Sequence, residues 1–170
     1  MAQRVICVVG PTASGKTKMG VALAQRFHGE VVSVDSMQIY RGMAIGTAAP
    51  TPEEMEGVPH HMIGVADPAE QWSAARFVAA ADRCVQDILR RGKQPIFVGG
   101  TGLYLDALVR GSAFAAGQQG GPVRQALQQR LAREGAAALL AELAQVDPET
   151  AARLHLRDEK RILRALEVYQ

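Results

Sequence analysis

The chain has 170 residues, 48% apolar and 21% charged, the make-up of one globular domain or a domain with an appendage, which excludes collagen-like, disordered and disulfide-scaffold architectures. Its formal charge is +2 and is not polarised, with eight basic and seven acidic residues in positions 113–170, so any nucleic-acid partner must be met by a local patch rather than a general basic coat. No window of about 18 unbroken apolar residues offers a membrane span. Met1 to Arg4 runs directly into a strand pattern without a signal-peptide cleavage site, and Cys7 and Cys84 read as reduced, buried thiols; the expected setting is the cytoplasm, with no membrane partner.

Residues 4–10 form an apolar, β-branched run ended by glycine, the pattern of a buried strand. Residues 16–27 place Met19, Ala22, Leu23 and Phe27 at helical spacing, and Gly29 marks the stop. Val31 to Asp35 reads as a second strand ending in an acid. Residues 36–59 hold many turn formers and read mostly as loop, followed by a short strand from His60 to Val65. A long helix is expected from Ser73, its N-cap, to Arg91, with Phe77, Ala81, Cys84 and Ile88 on one face and Gly92 as the stop. Trp72 and Phe77 read as packing residues at its start. Residues 95–99 form another strand, followed by Gly-Thr-Gly and a short helix from Leu103 to Val109. Strands alternating with helices imply parallel βαβ units.

Residues 111–122, rich in glycine with Pro122, read as a linker or exposed turn. Beyond it only helical patterns occur, at 123–134, 136–146, 148–154 and 158–169, broken at Asp147-Pro148. The expectation is an α/β core over residues 1–112 and a helical part over 113–170. No internal repeat is present.

Gly10-Pro11-Thr12-Ala13-Ser14-Gly15-Lys16-Thr17 matches G-x-x-x-x-G-K-[ST] in full, between a predicted strand and a predicted helix. Backbone N–H groups of such a loop point inward and hold a polyanion, Lys16 adds a point charge, and the Thr17 hydroxyl can help hold Mg²⁺. The loop does not say which polyphosphate sits there. The expected fold is therefore a P-loop NTPase-like α/β architecture, a parallel sheet flanked by helices, with a helical insertion or second subdomain. Asp35, at the carboxyl end of a strand, can hold Mg²⁺ through water, remove a proton, or cap the turn that follows it. Gly99-Gly100-Thr101-Gly102 shares that sheet edge and can bring Thr101 near bound phosphates. His60 and His61 are adjacent on a strand and so point to opposite faces, which disfavours joint metal chelation.

The loop at 10–17, the run Asp35-Ser36-Met37-Gln38-Ile39-Tyr40-Arg41-Gly42-Met43, Ile45-Gly46-Thr47-Ala48, Gly57-Val58-Pro59-His60-His61 and Gly99 to Tyr104 occur in order. Together with Asp147-Pro148, Leu154-His155 and Lys160 to Val168, they resemble the tRNA dimethylallyltransferase family over nearly the whole chain. The resemblance implies transfer of a dimethylallyl group from dimethylallyl diphosphate to the exocyclic amine of the adenine 3′ of a tRNA anticodon, with release of diphosphate. It implies that Gly10 to Thr17 bind the donor's diphosphate, with Mg²⁺ at Thr17. It assigns general-base work to Asp35 and places Lys16 and Thr101 among the catalytic groups. It also places the flipped base and the tRNA against Asp35, Ser36, Met37, Gln38, Thr101, Val123, Glu159, Lys160 and Arg161. Gln38 can offer a donor and an acceptor to an adenine edge, and Lys160 and Arg161 are the phosphate-contact residues. Arg124, Arg130 and Arg133 are a further basic rim. The partners implied are the anticodon stem-loop and the prenyl diphosphate, met by a monomer.

The chain departs from the family at Ala44, where Asp is usual, at Ala49, where Lys is usual, and at Leu156-Arg157, which replace Pro-Asn. It is also shorter, so a member truncated at its C-terminus is expected. A P-loop kinase would account for the loop and Asp35 but not for the Asp-Ser-Met-Gln-Ile-Tyr and Pro-His-His runs. An adenylate isopentenyltransferase is disfavoured by Gly57–His61 and Lys160–Val168. A non-catalytic phosphate-binding module is the third alternative.

Overall fold

In the computed structural model, residues 5–110 and 121–169 are described. Four strands form one wholly parallel sheet in the order β1-β4-β2-β3. They are β1 (Ile6–Val9), β2 (Gly29–Val34), β3 (His60–His61) and β4 (Gln94–Gly99). Side chains alternate across β2, so one strand serves two cores. Val31, with Ile96 of β4, packs on α1 (Lys16–Arg26). Val32 and Val34, with Phe97, pack on α3 (Ala74–Arg90) and α4 (Gly102–Arg110). The helices thus cover both faces, as alternating βαβ units require.

Helix α1 buries a different face from the one its large apolar residues suggest. Gly20, Val21 and Ala24 lie against the sheet, whereas Met19 and Phe27 are about half exposed. The reason is closeness of approach. A Cβ on Gly20 would stand 2.5 Å from Cγ2 of Val98, so the helix sits where only small residues fit. Helix α3 follows its expected pattern, with Ser73 accepting from the Arg76 N–H as N-cap. Phe77, Ala81 and Ile88 are buried, and Phe77 stacks on Tyr104 of α4 with ring centroids 4.2 Å apart. Trp72 packs at the margin of this core.

Three expectations need correction. Residues 36–59 are not all loop: Thr51 and Glu54 form a reciprocal capping box that opens a short helix, α2 (Pro52–Met55). The strand expected from His60 to Val65 is only two residues long, because Met62 takes a positive φ of 63° and turns the chain out of the ladder. Cys7 is exposed and Cys84 only partly buried, since β1 is an edge strand and Cys7 faces away from α1.

One buried charge anchors the lower end of the sheet. Glu30 is 1% exposed and meets Arg91 with both carboxylate oxygens, at 2.5 and 2.8 Å. Lys93 adds a bond at 2.7 Å and His61 another at 2.7 Å. The Arg91 contacts chiefly, with Lys93 and His61, hold the Glu30 carboxyl far below the usual carboxylate range, against the cost of its burial.

The chain divides into two compact units, Met1–Phe114 and Ala115–Gln170. The expected linker at 111–122 lies almost wholly outside the described residues. In the second unit α5 (Pro122–Val146) is interrupted at Gly135, whose φ of 79° is non-helical, which matches the two helices expected on either side of it. With α6 (Pro148–Ala152) and α7 (Glu159–Tyr169) it encloses a core of Leu127, Leu139, Leu143, Ile162, Leu163 and Leu166. Among the described residues no helix is long and apolar enough to cross a membrane.

Replacing Glu30 by Gln removes the buried carboxylate that Arg91, Lys93 and His61 share, leaving Arg91 with Asp87 at 2.9 Å. The expected cost is about 3 kcal/mol in urea unfolding at pH 7, the low end for breaking a buried pair, because all three partners reach solvent. The folded-state pKa is depressed, so this contribution is present above the unfolded value near 4.5 and is lost as pH falls through the strongly acid range. The Glu30→Gln penalty should therefore shrink when unfolding is repeated at progressively lower pH.

Candidate functional site

The loop after β1 is built for a polyanion. Gly15 adopts a left-handed φ of 78° and Ala13 one of 64°, so successive N–H groups turn inward before α1 begins. Helix α1 has no side-chain cap and no acid in its first turn, which leaves its N-terminal donors for a ligand. The Lys16 ammonium bridges back to the Pro11 carbonyl at 2.5 Å, within the loop it would share with a bound anion.

Residues 12–18 line a cavity of about 460 Å³ whose other walls include Ser33, Asp35, Gln38, Thr47 and His60. The β2–β4 register sets Val34 opposite Gly99, and the Thr101 N–H donates to the Val34 carbonyl at 3.2 Å. The Thr101 hydroxyl oxygen accepts from the Ser36 N–H at 3.1 Å. Thr101 is thus tied to the segment that carries Asp35. It also lines a second cavity of about 370 Å³ with Gly10, Pro11, Phe97 and Leu105, and Gly99 borders both cavities.

Asp35 caps its own turn, as strand-end acids do. Oδ1 accepts from the N–H groups of Met37 at 2.8 Å and Gln38 at 3.3 Å. These bonds occupy one oxygen and aim the carboxylate, leaving Oδ2 for other work. Gln38 differs from expectation. Its Oε1 accepts from the Ser33 hydroxyl at 2.8 Å, and its Nε2 donates to the carbonyls of Thr47 at 3.3 Å and Ala48 at 3.2 Å. With two hydrogens and two carbonyl partners the amide nitrogen is committed, and what remains for a ligand is the second lone pair of Oε1. Ser36 is partly buried, and Met37 is 46% exposed.

Ser33 and Thr47 were missed in the sequence. The available signal was a polar residue inside an apolar strand, two positions before Asp35 and so on the same face. For His60 the sequence favours a structural or RNA-facing role over metal ligation. Its Nδ1 bonds the Val58 carbonyl at 2.9 Å, and burial pushes the imidazole below its ordinary pKa.

A divalent cation fits this donor set in one way. The Thr17 hydroxyl and the Asp35 carboxylate are hard oxygen donors on the same cavity. Among the described residues no cluster of His, Cys, Asp and Glu could hold a metal unaided. A cation here would take most of its shell from phosphate oxygens and water, the habit of Mg²⁺.

In the second unit, Val123 lies in the first turn of α5 and is 38% exposed, while Glu159, Lys160 and Arg161 open α7 and face solvent. Of the expected basic rim, Arg130 sits between Glu134 at 3.0 Å and Glu142 at 2.5 Å, Arg124 shares Glu167 with Arg164, at 3.7 and 2.9 Å, and Arg133 is 72% exposed.

Two substitutions separate turn geometry from chemistry. Asp35→Asn retains an acceptor for the Met37 and Gln38 N–H groups and should leave unfolding free energy within about 0.5 kcal/mol of the parent. Thr101→Val removes the acceptor of the Ser36 N–H and should cost about 1 kcal/mol, read in the same denaturant titration.

Comparison with known proteins assigns the chain to a family. The profile described as IPP transferase matches residues 38–170, and that described as Isopentenyl transferase matches residues 3–64. A tRNA dimethylallyltransferase of Geobacillus thermodenitrificans (strain NG80-2) is 48% identical over 169 residues, 99% of this chain and 54% of the relative. One from Anaeromyxobacter dehalogenans (strain 2CP-C) is 51% identical over 165 residues, 97% of this chain and 55% of the relative. The full-length tRNA isopentenylpyrophosphate transferase of Bacillus halodurans has a similar structure, with a TM-score of 0.65, 44% identity, and coverage of 98% of this chain and 55% of that one. A eukaryotic dimethylallyltransferase crystallised acting on tRNA has a TM-score of 0.85 at 34% identity, over 99% of this chain and 42% of that one. The chain spans about half the length of the curated relatives it matches. With its parallel P-loop sheet flanked by helices and these matches along its length, the chain belongs to the IPP transferase family.

Proposed function

We propose that this chain carries the donor-binding and base-facing part of an enzyme that moves a dimethylallyl group from dimethylallyl diphosphate to the exocyclic amine of the adenine 3′ of a tRNA anticodon, releasing diphosphate. The observation that carries the reading is that the phosphate loop and the Asp35 carboxylate line one cavity. Its volume of about 460 Å³ is that of an ordinary ligand pocket. The names of the relatives, tRNA dimethylallyltransferases at about half identity, supply the substrate class.

The geometry suits that chemistry. Loop amides, the α1 N-terminus and Lys16 stabilise the charge that grows on the diphosphate as the allylic C–O bond breaks. An adenine amine is a weak nucleophile, because its lone pair is delocalised into the ring. As the C–N bond forms, Oδ2 of Asp35 takes the amine proton, while Oδ1 stays bonded to Met37 and Gln38 and keeps the carboxylate aimed. Thr101 holds the Ser36 backbone and so fixes the Asp35 segment against the end of β4. Mg²⁺, held by Thr17, by phosphate oxygens and through water by Asp35, would supply further neutralisation of the leaving diphosphate.

The target base must leave its stack, at a cost of about a few kcal/mol, before it meets the Asp35–Gln38 segment. Ser36, Met37 and the Oε1 acceptor of Gln38 face it there. Lys160 and Arg161 bind RNA phosphates, with Glu159 and Val123 as neighbouring contacts; the Arg161 side chain is 75% exposed and free to reach outward from its Asp158 partner.

Calorimetry with dimethylallyl diphosphate should give binding that Lys16→Ala weakens about tenfold or more. An anticodon stem-loop incubated with donor and Mg²⁺ should gain one dimethylallyl unit by mass spectrometry. Asp35→Asn should slow that transfer by about a hundredfold or more, while donor affinity measured without Mg²⁺ stays within about twofold of the parent. Equal turnover in the Asp35→Asn protein would remove the carboxylate from the mechanism, and phosphate transfer from ATP in place of prenyl transfer would replace the reading with a kinase.

A further inference from the structure

Strand β2 carries a buried hydroxyl that the transfer itself does not use. Ser33 is 3% exposed, in a strand otherwise apolar between Glu30 and Asp35. Its Oγ donates to Oε1 of Gln38 at 2.8 Å. The Nε2 of the same amide donates to the carbonyls of Thr47 and Ala48 at 3.3 and 3.2 Å. These contacts admit one sense of the amide, since turning it over would set Oε1 against two carbonyl oxygens.

The bonds join three pieces of chain. One end is the sheet, the middle is the turn that Asp35 caps, and the far end is the segment at 43–49. That segment is wound on itself. The Thr47 N–H and hydroxyl both donate to the Met43 carbonyl, at 3.1 and 2.9 Å, and the Ala49 N–H donates to the Ala44 carbonyl at 3.0 Å. Ile45 at its tip is wholly exposed. Among the described residues, the hydrogen bonds that fasten this turn to the rest of its unit are the two from Gln38. Thr47 and Ala48 nevertheless wall the cavity that holds the phosphate loop and Asp35.

We propose that Ser33 is a positioning residue: it anchors the Gln38 amide and, through that amide, holds the turn at 43–49 as a fixed wall of the cavity. Gln38 is then a strut between strand and turn as well as a base-facing group. The functional meaning rests on the reading given above, but the test uses no substrate, so its failure is separate from failure of the transfer assay.

The test is amide hydrogen exchange by NMR on the whole chain. In Ser33→Ala the amides of Thr47, Ala48 and Ala49 should exchange about five- to tenfold faster, with those of Ile96, Phe97 and Val98 unchanged. The Gln38 side-chain NH₂ resonances should move toward free-amide positions, and Ser33→Thr, which keeps the hydroxyl, should restore the exchange rates. Unchanged exchange at 47–49 would overturn the proposal. So would equal acceleration in β4, which would mark a merely structural loss, or a folded Ser33→Thr protein that behaves as Ser33→Ala does. Should Ser33→Ala fail to fold, Gln38→Met decides from the other end of the bond: selective loss of protection at 47–49 is expected, and unaltered protection overturns the proposal.

Discussion

The parallel pairing of β2 with β4 is the constraint on which the site depends. Its register sets Val34 opposite Gly99, and the ladder continues one step further through the Thr101 N–H to the Val34 carbonyl. The Ser36 N–H then returns to the Thr101 hydroxyl. Two loops from distant parts of the chain are thereby stitched at one sheet edge, beside the phosphate loop that β1 delivers through its own pairing with β4. A slip of one residue would turn every side chain of β2 to the other face and take Asp35 and Ser33 out of the cavity.

Both ends of that sheet carry charge, for opposite purposes. At the lower end Glu30 is buried and saturated by Arg91, Lys93 and His61. At the upper end the α1 N-terminus carries no side-chain cap, and Asp35 caps its turn through one oxygen. Strand β2 runs from a carboxylate held by fixed partners, Glu30, to one just past its last residue, Asp35, that caps its turn through Oδ1. The difference lies in neighbours, since both acids belong to one continuous stretch, residues 30–35.

Closeness matters as much as charge. Helix α1 lies on β4 through Gly20, and that approach sets how the N-terminus of the helix, with Lys16 and Thr17, stands over the end of the sheet. The pairing of Phe77 with Tyr104 does the same on the other face, where α3 and α4 back the Thr101 loop. The second unit has its own core of leucines and isoleucine, and Arg130 is tied within it to Glu134 and Glu142. Its exposed basic groups include Arg133 and Arg153 as well as Lys160 and Arg161 at the start of α7.

The α/β alternation, the phosphate loop, the Ser73 cap, the break at Gly135 and the family were all legible in the sequence, because each depends on local spacing or on residue types that only one backbone geometry accepts. The capping box at Thr51 and Glu54 is equally local, but it stands among turn formers whose composition reads as loop. What the tertiary structure alone decided were matters of long-range contact. These include which face of α1 is buried, since Val98 admits only a glycine there; that Cys7 is exposed, since strand order makes β1 an edge; and that Arg124 and Arg130 are internally paired. They also include that the Gln38 amide is held by Ser33 and the 43–49 turn rather than left free. Local pattern names the residues that chemistry needs, but which of their hydrogen-bonding groups remain available is set by partners that only folding brings within reach.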